Sequence, residues 1–182
     1  MWTIVILVAL AVAALFVVGI YNRLVALRQT CRQGAADIDA QLRQRHDLVP
    51  NLVATVKGYA THEKSTLDSV IEARNAAAAR PSSESEAQFK LALDRLLALS
   101  EAYPDLKANA NFQALQGELA DIEDKLAAAR RALNAAVSRY NASVESFPAV
   151  LFAGALGFRQ EDYNRLDPSE KGVVDQVPKV QF

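Results

Sequence analysis

Residues 109–147 read NANFQALQGELADIEDKLAAARRALNAAVSRYNASVESF, and this stretch decides the fold. Apolar residues recur in it every three or four positions, which is the spacing of one face of a helix packed on other helices. Sustained over about 36 residues, the pattern predicts a helix of roughly 54 Å. The members of this apolar stripe are Phe112, Leu115, Leu119, Ile122, Leu126, Ala129, Leu133, Ala136, Tyr140, Val144 and Phe147.

Shorter apolar stripes of the same period precede this stretch and predict three further helices, over residues 22–46, 48–80 and 84–102. Asp47 can cap the second of these helices, and Pro50 suits its first turn because proline lacks an N–H. The stripe keeps its phase across Pro50, which leaves open one long kinked helix. Ser83 and Glu86 have the spacing of a capping box for the helix that starts near residue 84.

These four amphipathic helices have short connections, so we expect them to pack antiparallel around one core. The predicted architecture is all-α: a transmembrane helix in residues 1–21, an antiparallel four-helix bundle in residues 22–147, and residues 148–182 as an apolar segment with an extended C-terminal tail. Seven glycines and six prolines in 182 residues agree with a helical chain.

The anchor is an uncharged run over residues 3–20, interrupted only by Thr3 and Gly19. At about 1.5 Å per residue it covers roughly 27 Å, close to the thickness of the hydrocarbon layer. Trp2 and Tyr21 flank it, where aromatic rings favour the membrane interface. No basic residue precedes the run, as one would in a cleaved secretory signal, so we expect a retained membrane helix.

Five arginines follow the anchor: Arg23, Arg28, Arg32, Arg43 and Arg45. A basic flank tends to stay in the cytoplasm. This asymmetry predicts a single-pass protein with its N-terminus outside the cell and its bundle in the cytoplasm, while the opposite orientation, with the bundle in the periplasm or outside the cell, is left open.

The segment after the fourth helix reads FPAVLFAGALGF over residues 147–158 and carries no charge. In an antiparallel bundle the fourth helix returns toward the bilayer, so this segment is a candidate for membrane contact. The alternative is that it folds over the end of the bundle. The candidate membrane-contact residues are Val150, Leu151, Phe152, Leu156 and Phe158.

The densest polar motif lies at the far end of the first soluble helix, and its residues are Arg43, Arg45, His46, Asp47 and Asn51. One interpretation is a surface that binds a protein partner. The other is a capped helix junction with salt bridges, which has no role in binding.

The sequence offers little material for catalysis or for a cofactor. His62 and Glu63 do not form a zinc-protease motif, because position 66 is Thr66 and not histidine. There is no Gly-rich phosphate loop, and the single cysteine, Cys31, cannot form an internal disulfide. A net charge of −1 gives no reason to expect a nucleic-acid partner. We therefore predict no enzyme activity, no metal, no cofactor and no small-molecule substrate.

Several motifs resemble those of the LemA family. Residues 21–28 read YNRLVALR and residues 38–59 read IDAQLRQRHDLVPNLVATVKGY, followed by His62-Glu63-Lys64, Ala129-Arg130-Arg131, Arg139-Tyr140-Asn141, Ser146-Phe147-Pro148 and Gly157-Phe158. The resemblance implies a single-pass bacterial membrane protein with a four-helix soluble domain and no established catalytic role. One branch of the family is similar to proteins needed to build magnetosome membranes, which implies membrane organisation.

The sequence therefore predicts a non-catalytic scaffold that organises membrane or envelope proteins. Its expected partners are the lipid bilayer, further copies of itself and other membrane proteins. The alternative is a single-pass sensory or signalling module, in which the anchor and the first soluble helix transmit a signal.

Overall fold

A computed structural model describes residues 1–161, and within them every element is helical. The elements are α1 (Trp2–Lys57), α2 (Lys64–Ala79), α3 (Ser83–Ala102), α4 (Pro104–Lys107), α5 (Ala110–Glu145) and a 3₁₀ turn (Ala149–Leu151). The predicted all-α class is confirmed for this part of the chain. The extended tail predicted within residues 162–182 lies outside the described residues.

Helix α1 is one helix of 56 residues, which corresponds to about 84 Å. It contains both the apolar run and Pro50, so the prediction of separate helices over 22–46 and 48–80 is wrong. The alternative that the helix continues across Pro50 is confirmed. The helix ends instead at Lys57, and the next residue, Gly58, is a poor helix former. The backbone N–H of Ala60 donates a hydrogen bond to the carbonyl of Val56 at 2.9 Å in the turn that follows.

Helix α1 is long and apolar enough near its N-terminus to cross a membrane. None of the residues in its most apolar 18-residue window is buried within the protein. This exposure distinguishes the segment from the core helix of a soluble protein, whose apolar residues are covered by other parts of the chain.

The start of α3 is fixed by a pair of serines. The backbone N–H of Ser85 donates to the Ser82 hydroxyl at 3.1 Å, and the backbone N–H of Ser82 donates to the Ser85 hydroxyl at 3.0 Å. The capping box predicted on Ser83 and Glu86 is therefore wrong by one position. Glu86 takes no part in the cap, and its side chain is buried.

The chain forms two compact units, so the predicted single bundle over residues 22–147 is divided. Unit 1 contains Met1–Ile38 together with residues 128–161. In it α1 and α5 run antiparallel around a core that includes Leu24, Val137 and Tyr140. A Cβ at Gly34 would lie 3.3 Å from Cδ1 of Leu133, so glycine allows the two helices to approach closely at this level.

Unit 2 contains Asp39–Ala127 and has its own core. Segments of α1 and α5 pack in it with α2, α3 and α4. The core includes Leu52, Phe89, Leu96, Leu106 and Phe112, all fully buried.

Candidate functional site

The guanidinium of Arg45 lies between two carboxylates in the interior of unit 2. One terminal nitrogen lies 2.5 Å from Oε2 of Glu86 on α3, and the other lies 2.6 Å from Oε1 of Glu123 on α5. The Arg45 side chain is 2% exposed, whereas that of Glu123 is 37% exposed. A desolvated arginine needs such partners, because an unpaired buried charge is costly. The pairs tie α1 to α3 and α5.

His46 contacts the second oxygen of the same carboxylate. Its Nε2 lies 3.2 Å from Oε1 of Glu86, and its ring meets Phe89 edge to face with 4.9 Å between the ring centroids. The guanidinium of Arg45 lies 5.2 Å from the centroid of the same Phe89 ring. Both Glu86 oxygens therefore face side chains of α1, one the guanidinium of Arg45 and the other the imidazole of His46.

The surroundings of Glu86 favour its charged form. Burial alone would raise the pKa of this carboxyl, but the contacts with His46 and Arg45 outweigh it and hold the pKa below the usual 4.5. We call the group formed by Arg45, His46, Glu86 and Glu123 the ionic cluster.

Chemically, the ionic cluster is a closed arrangement. The side chains of His46 and Glu86 are 8% and 7% exposed, so neither presents an open face to a substrate. Among residues 1–161, no group of three or more His, Cys, Asp or Glu side chains is arranged to hold a metal ion.

The structure separates the residues of the predicted partner-binding motif. Arg43, Asp47 and Asn51 are exposed, whereas Arg45 and His46 are buried in the ionic cluster. The prediction that Arg45 and His46 belong to a partner-binding surface is therefore wrong, because their side chains face the core of unit 2. The three exposed residues stay a prediction.

Sequence reasoning missed the other two members of the ionic cluster. Glu86 was interpreted as a cap, and Glu123 lies 78 residues from Arg45 along the chain. The only signal was indirect: Glu86 falls three positions before Phe89, on the apolar face of α3. A charged residue on such a face predicts a buried partner without identifying it.

The second candidate site is the uncharged segment after α5, which belongs to unit 1. Phe147, Val150 and Leu151 are 80%, 52% and 71% exposed, Leu156 is 39% exposed, and Phe152 is half-buried. We call Phe147, Val150 and Leu151 the apolar edge. Three adjacent large apolar side chains exposed to this degree are typical of a surface that contacts lipid or a partner.

The prediction that Phe158 contacts a membrane is wrong, because its side chain is only 1% exposed. Its ring meets Tyr21 edge to face at 5.4 Å between centroids, and the guanidinium of Arg28 lies 4.8 Å from the ring centroid. The turn that directs it inward uses Gly157 at φ +79°, and the Phe158 amide donates to the carbonyl of Ala153 at 2.9 Å. This end of the segment folds against unit 1, as the alternative interpretation proposed.

Comparison with known proteins identifies the family. The LemA family model matches residues 34–182, which is most of the chain. The chain belongs to the LemA family. The match includes the ionic cluster and the apolar edge, and it begins after the apolar run of α1.

Curated relatives of this LemA family member include three magnetosome proteins. The chain is 31% identical over 81 residues to magnetosome protein MamQ of Magnetospirillum gryphiswaldense, and 32% identical over 81 residues to magnetosome proteins MamQ 1 and MamQ 2 of Paramagnetospirillum magneticum. Each match covers 44% of this chain and 30% of the relative. The chain thus spans less than a third of the curated relatives it matches.

Proposed function

We propose that this LemA family member is a single-pass protein of the bacterial inner membrane, with residues 22–161 in the cytoplasm, and that it acts as a non-catalytic scaffold. In this proposal it organises membrane or envelope proteins through self-association and protein partners. The arginines that follow the apolar run support the cytoplasmic orientation.

The observation that carries the proposal is the exposed apolar run of α1. Leu7, Leu15 and Phe16 are 65%, 73% and 58% exposed, and most of the other large apolar side chains of the run are exposed to a similar degree. Burying one such side chain fully is worth about 1.5–3 kcal/mol, so a run of them in water would be strongly unfavourable. A run of about 27 Å matches the hydrocarbon layer, which would cover all of these side chains at once.

The closed ionic cluster supports a structural role over a catalytic one. It places the buried guanidinium of Arg45 between carboxylates of two other helices, where the ion pairs hold α1, α3 and α5 together. The partial similarity to the MamQ magnetosome proteins also supports a role in membrane organisation.

Substitution within the apolar run tests the anchor. Val8→Arg with Val12→Arg places two charges mid-run, each costing about 2.5–3.5 kcal/mol in the bilayer centre. We expect the wild type to stay in the membrane pellet after alkaline carbonate extraction and the double variant to be released in large part. Val8→Leu with Val12→Leu is the matched control. Release of the wild type by carbonate would refute the anchor.

Self-association and orientation need separate measurements. Single-molecule photobleaching of the labelled full chain in lipid vesicles should show more than one copy per particle at low occupancy. A C-terminal green fluorescent protein fusion should fluoresce and a C-terminal alkaline phosphatase fusion should be inactive. A strictly monomeric protein without proximity-labelled neighbours in cells would refute the scaffold.

The continuity of α1 favours one second candidate, a sensory or signalling module. A helix without a break from Trp2 to Lys57 can pass a rotation from the apolar run to unit 2. Insertion of one alanine between Tyr21 and Asn22 rotates the two parts by about 100°. A signalling module predicts a changed set of proximity-labelled partners, whereas a scaffold predicts the same set.

A further inference from the structure

A cavity of about 260 Å³ lies in unit 1 between α1 and the end of α5. Its apolar wall is formed by Phe16, Ile20, Leu24, Phe147, Pro148 and Ala149. Its polar lining consists of Arg23, Ser143 and Ser146. Leu24 and Ala149 are buried at its base, whereas Phe16 and Phe147 are 58% and 80% exposed and leave its side open to the surroundings.

The position of the cavity along α1 indicates the class of ligand. Phe16 and Ile20 belong to the last turns of the apolar run, and Arg23 is the first charged residue after it. If the run crosses a bilayer, this level is the interface, where acyl chains meet headgroup phosphates. An apolar wall next to one guanidinium matches that change in polarity.

The charge of unit 1 favours an anionic ligand. Residues 1–38 and 128–161 contain seven arginines, no lysine and three acidic residues, whereas residues 39–127 contain ten basic and fourteen acidic residues. The excess of arginine in unit 1 is hidden by the nearly neutral whole chain. Arginine is suited to phosphate, because its planar fork donates two parallel hydrogen bonds.

The polar groups of the cavity have distinct roles. The Ser146 hydroxyl already donates to the carbonyl of Ala142 at 2.5 Å, so it is not the first choice as a phosphate donor. Glu145, an acidic residue near this end of α5, accepts a hydrogen bond from Gln160. Arg23 and Ser143 remain as the groups that can donate to a phosphate oxygen.

We propose that this cavity binds one anionic phospholipid, with part of an acyl chain against the apolar wall and the phosphate at Arg23 and Ser143. A volume of about 260 Å³ is slightly below the roughly 300–1,000 Å³ of pockets that enclose a whole drug-sized ligand, so it holds only part of a lipid. The rest of the lipid stays in the bilayer. The inference rests on the proposed membrane anchor.

Native mass spectrometry of the full chain in neutral detergent tests the site. The probes are phosphatidylglycerol, phosphatidylcholine with the same acyl chains, and glycerol 3-phosphate. We expect one phosphatidylglycerol to bind in clear preference to phosphatidylcholine, and glycerol 3-phosphate to bind much more weakly than the lipid. Arg23→Gln should weaken phosphatidylglycerol binding by about tenfold, the loss of one charge-assisted contact, and Arg23→Lys should restore part of it.

Arg95→Gln is the matched control, because it removes an exposed arginine from unit 2 and should leave binding unchanged. Equal binding of the two lipids, equal binding of glycerol 3-phosphate, or equal losses in Arg23→Gln and Arg95→Gln would overturn the site. Carbonate extraction of the same variants separates this result from the anchor: a protein that stays in the membrane but lacks lipid preference refutes the site alone.

Discussion

The side chain of Arg74 on α2 donates its Nε–H to the backbone carbonyl of His46 on α1, at 3.2 Å. In a regular helix this carbonyl would accept from the N–H of the residue four positions later, which is Pro50 and has no N–H. Arg74 therefore replaces the hydrogen bond that the proline removes. Nη2 of Arg74 lies 3.9 Å from Oδ1 of Asp47, an exposed residue, so this ion pair adds little to the stability of the fold.

Replacing Arg74 should destabilise the protein, because the His46 carbonyl that Pro50 leaves without an N–H partner then has no hydrogen bond. We expect Arg74→Met to lower the free energy of unfolding by about 1–2 kcal/mol, since the His46 carbonyl loses its partner in a partly buried position. In a Pro50→Ala background the alanine N–H satisfies the same carbonyl, so the cost of Arg74→Met should fall markedly. Chemical denaturation of all four proteins, followed by circular dichroism, measures this coupling. Arg80→Met, at the exposed end of α2, is the control, and equal costs in both backgrounds would contradict the explanation.

The two carboxylates of the ionic cluster should differ in importance. Glu86→Gln removes the buried charge opposite Arg45 and His46, and we expect a loss of about 3 kcal/mol at neutral pH. Glu123→Gln removes the partly exposed partner and should cost about 1 kcal/mol or less. Urea unfolding measures both losses, since a shift of the midpoint with an unchanged m-value reports a change in the free energy of unfolding. A larger loss for Glu123→Gln than for Glu86→Gln would mean that burial does not set the strength of these pairs.

The lowered pKa of Glu86 also predicts how stability depends on pH. A carboxyl whose pKa is lower in the folded state stabilises the protein above its unfolded pKa, near 4.5. This contribution is lost as the pH falls through the folded value, because the unfolded chain takes up the proton first. Titration of unfolding from pH 6 to 3 should show the free energy of wild type decreasing more steeply than that of Glu86→Gln, by at most about 1.4 kcal/mol per pH unit. Parallel curves would show that Glu86 does not contribute.

The sequence alone predicts the helices that are determined by residues close together along the chain. The long stripe around Ile122 and Leu126 predicted α5 closely, because helical periodicity depends only on near neighbours. The apolar run of α1 was equally clear. The class of the fold therefore followed from the pattern of apolar residues alone.

Most of the errors concern residues whose partners lie far along the chain. The sequence leaves Pro50 open between the first turn of a new helix and the interior of one long kinked helix, because Arg74, whose side chain bonds the carbonyl that Pro50 leaves unpaired, is 28 residues away from that carbonyl. The sequence leaves Arg45 and His46 open between a partner-binding surface and a salt-bridged junction, because Glu86, 41 residues from Arg45 along the chain, is not recognisable as their partner. Phe158 was grouped with the exposed segment because composition does not show that Gly157 turns the chain inward.

The apolar edge should contact lipid if the anchor crosses a bilayer. With Trp2→Phe to remove the single native tryptophan, Leu151→Trp places a probe where the side chain is 71% exposed. We expect its fluorescence to be quenched by vesicles of brominated phospholipid, because Phe147 of the apolar edge lines the cavity with Phe16 and Ile20 from the end of the apolar run. Gln29→Trp is the control: it is exposed on α1 about 13 Å beyond Ile20, so it should remain in water and be quenched by iodide instead. Equal quenching of the two probes by iodide would place the apolar edge in water and leave it to a protein partner.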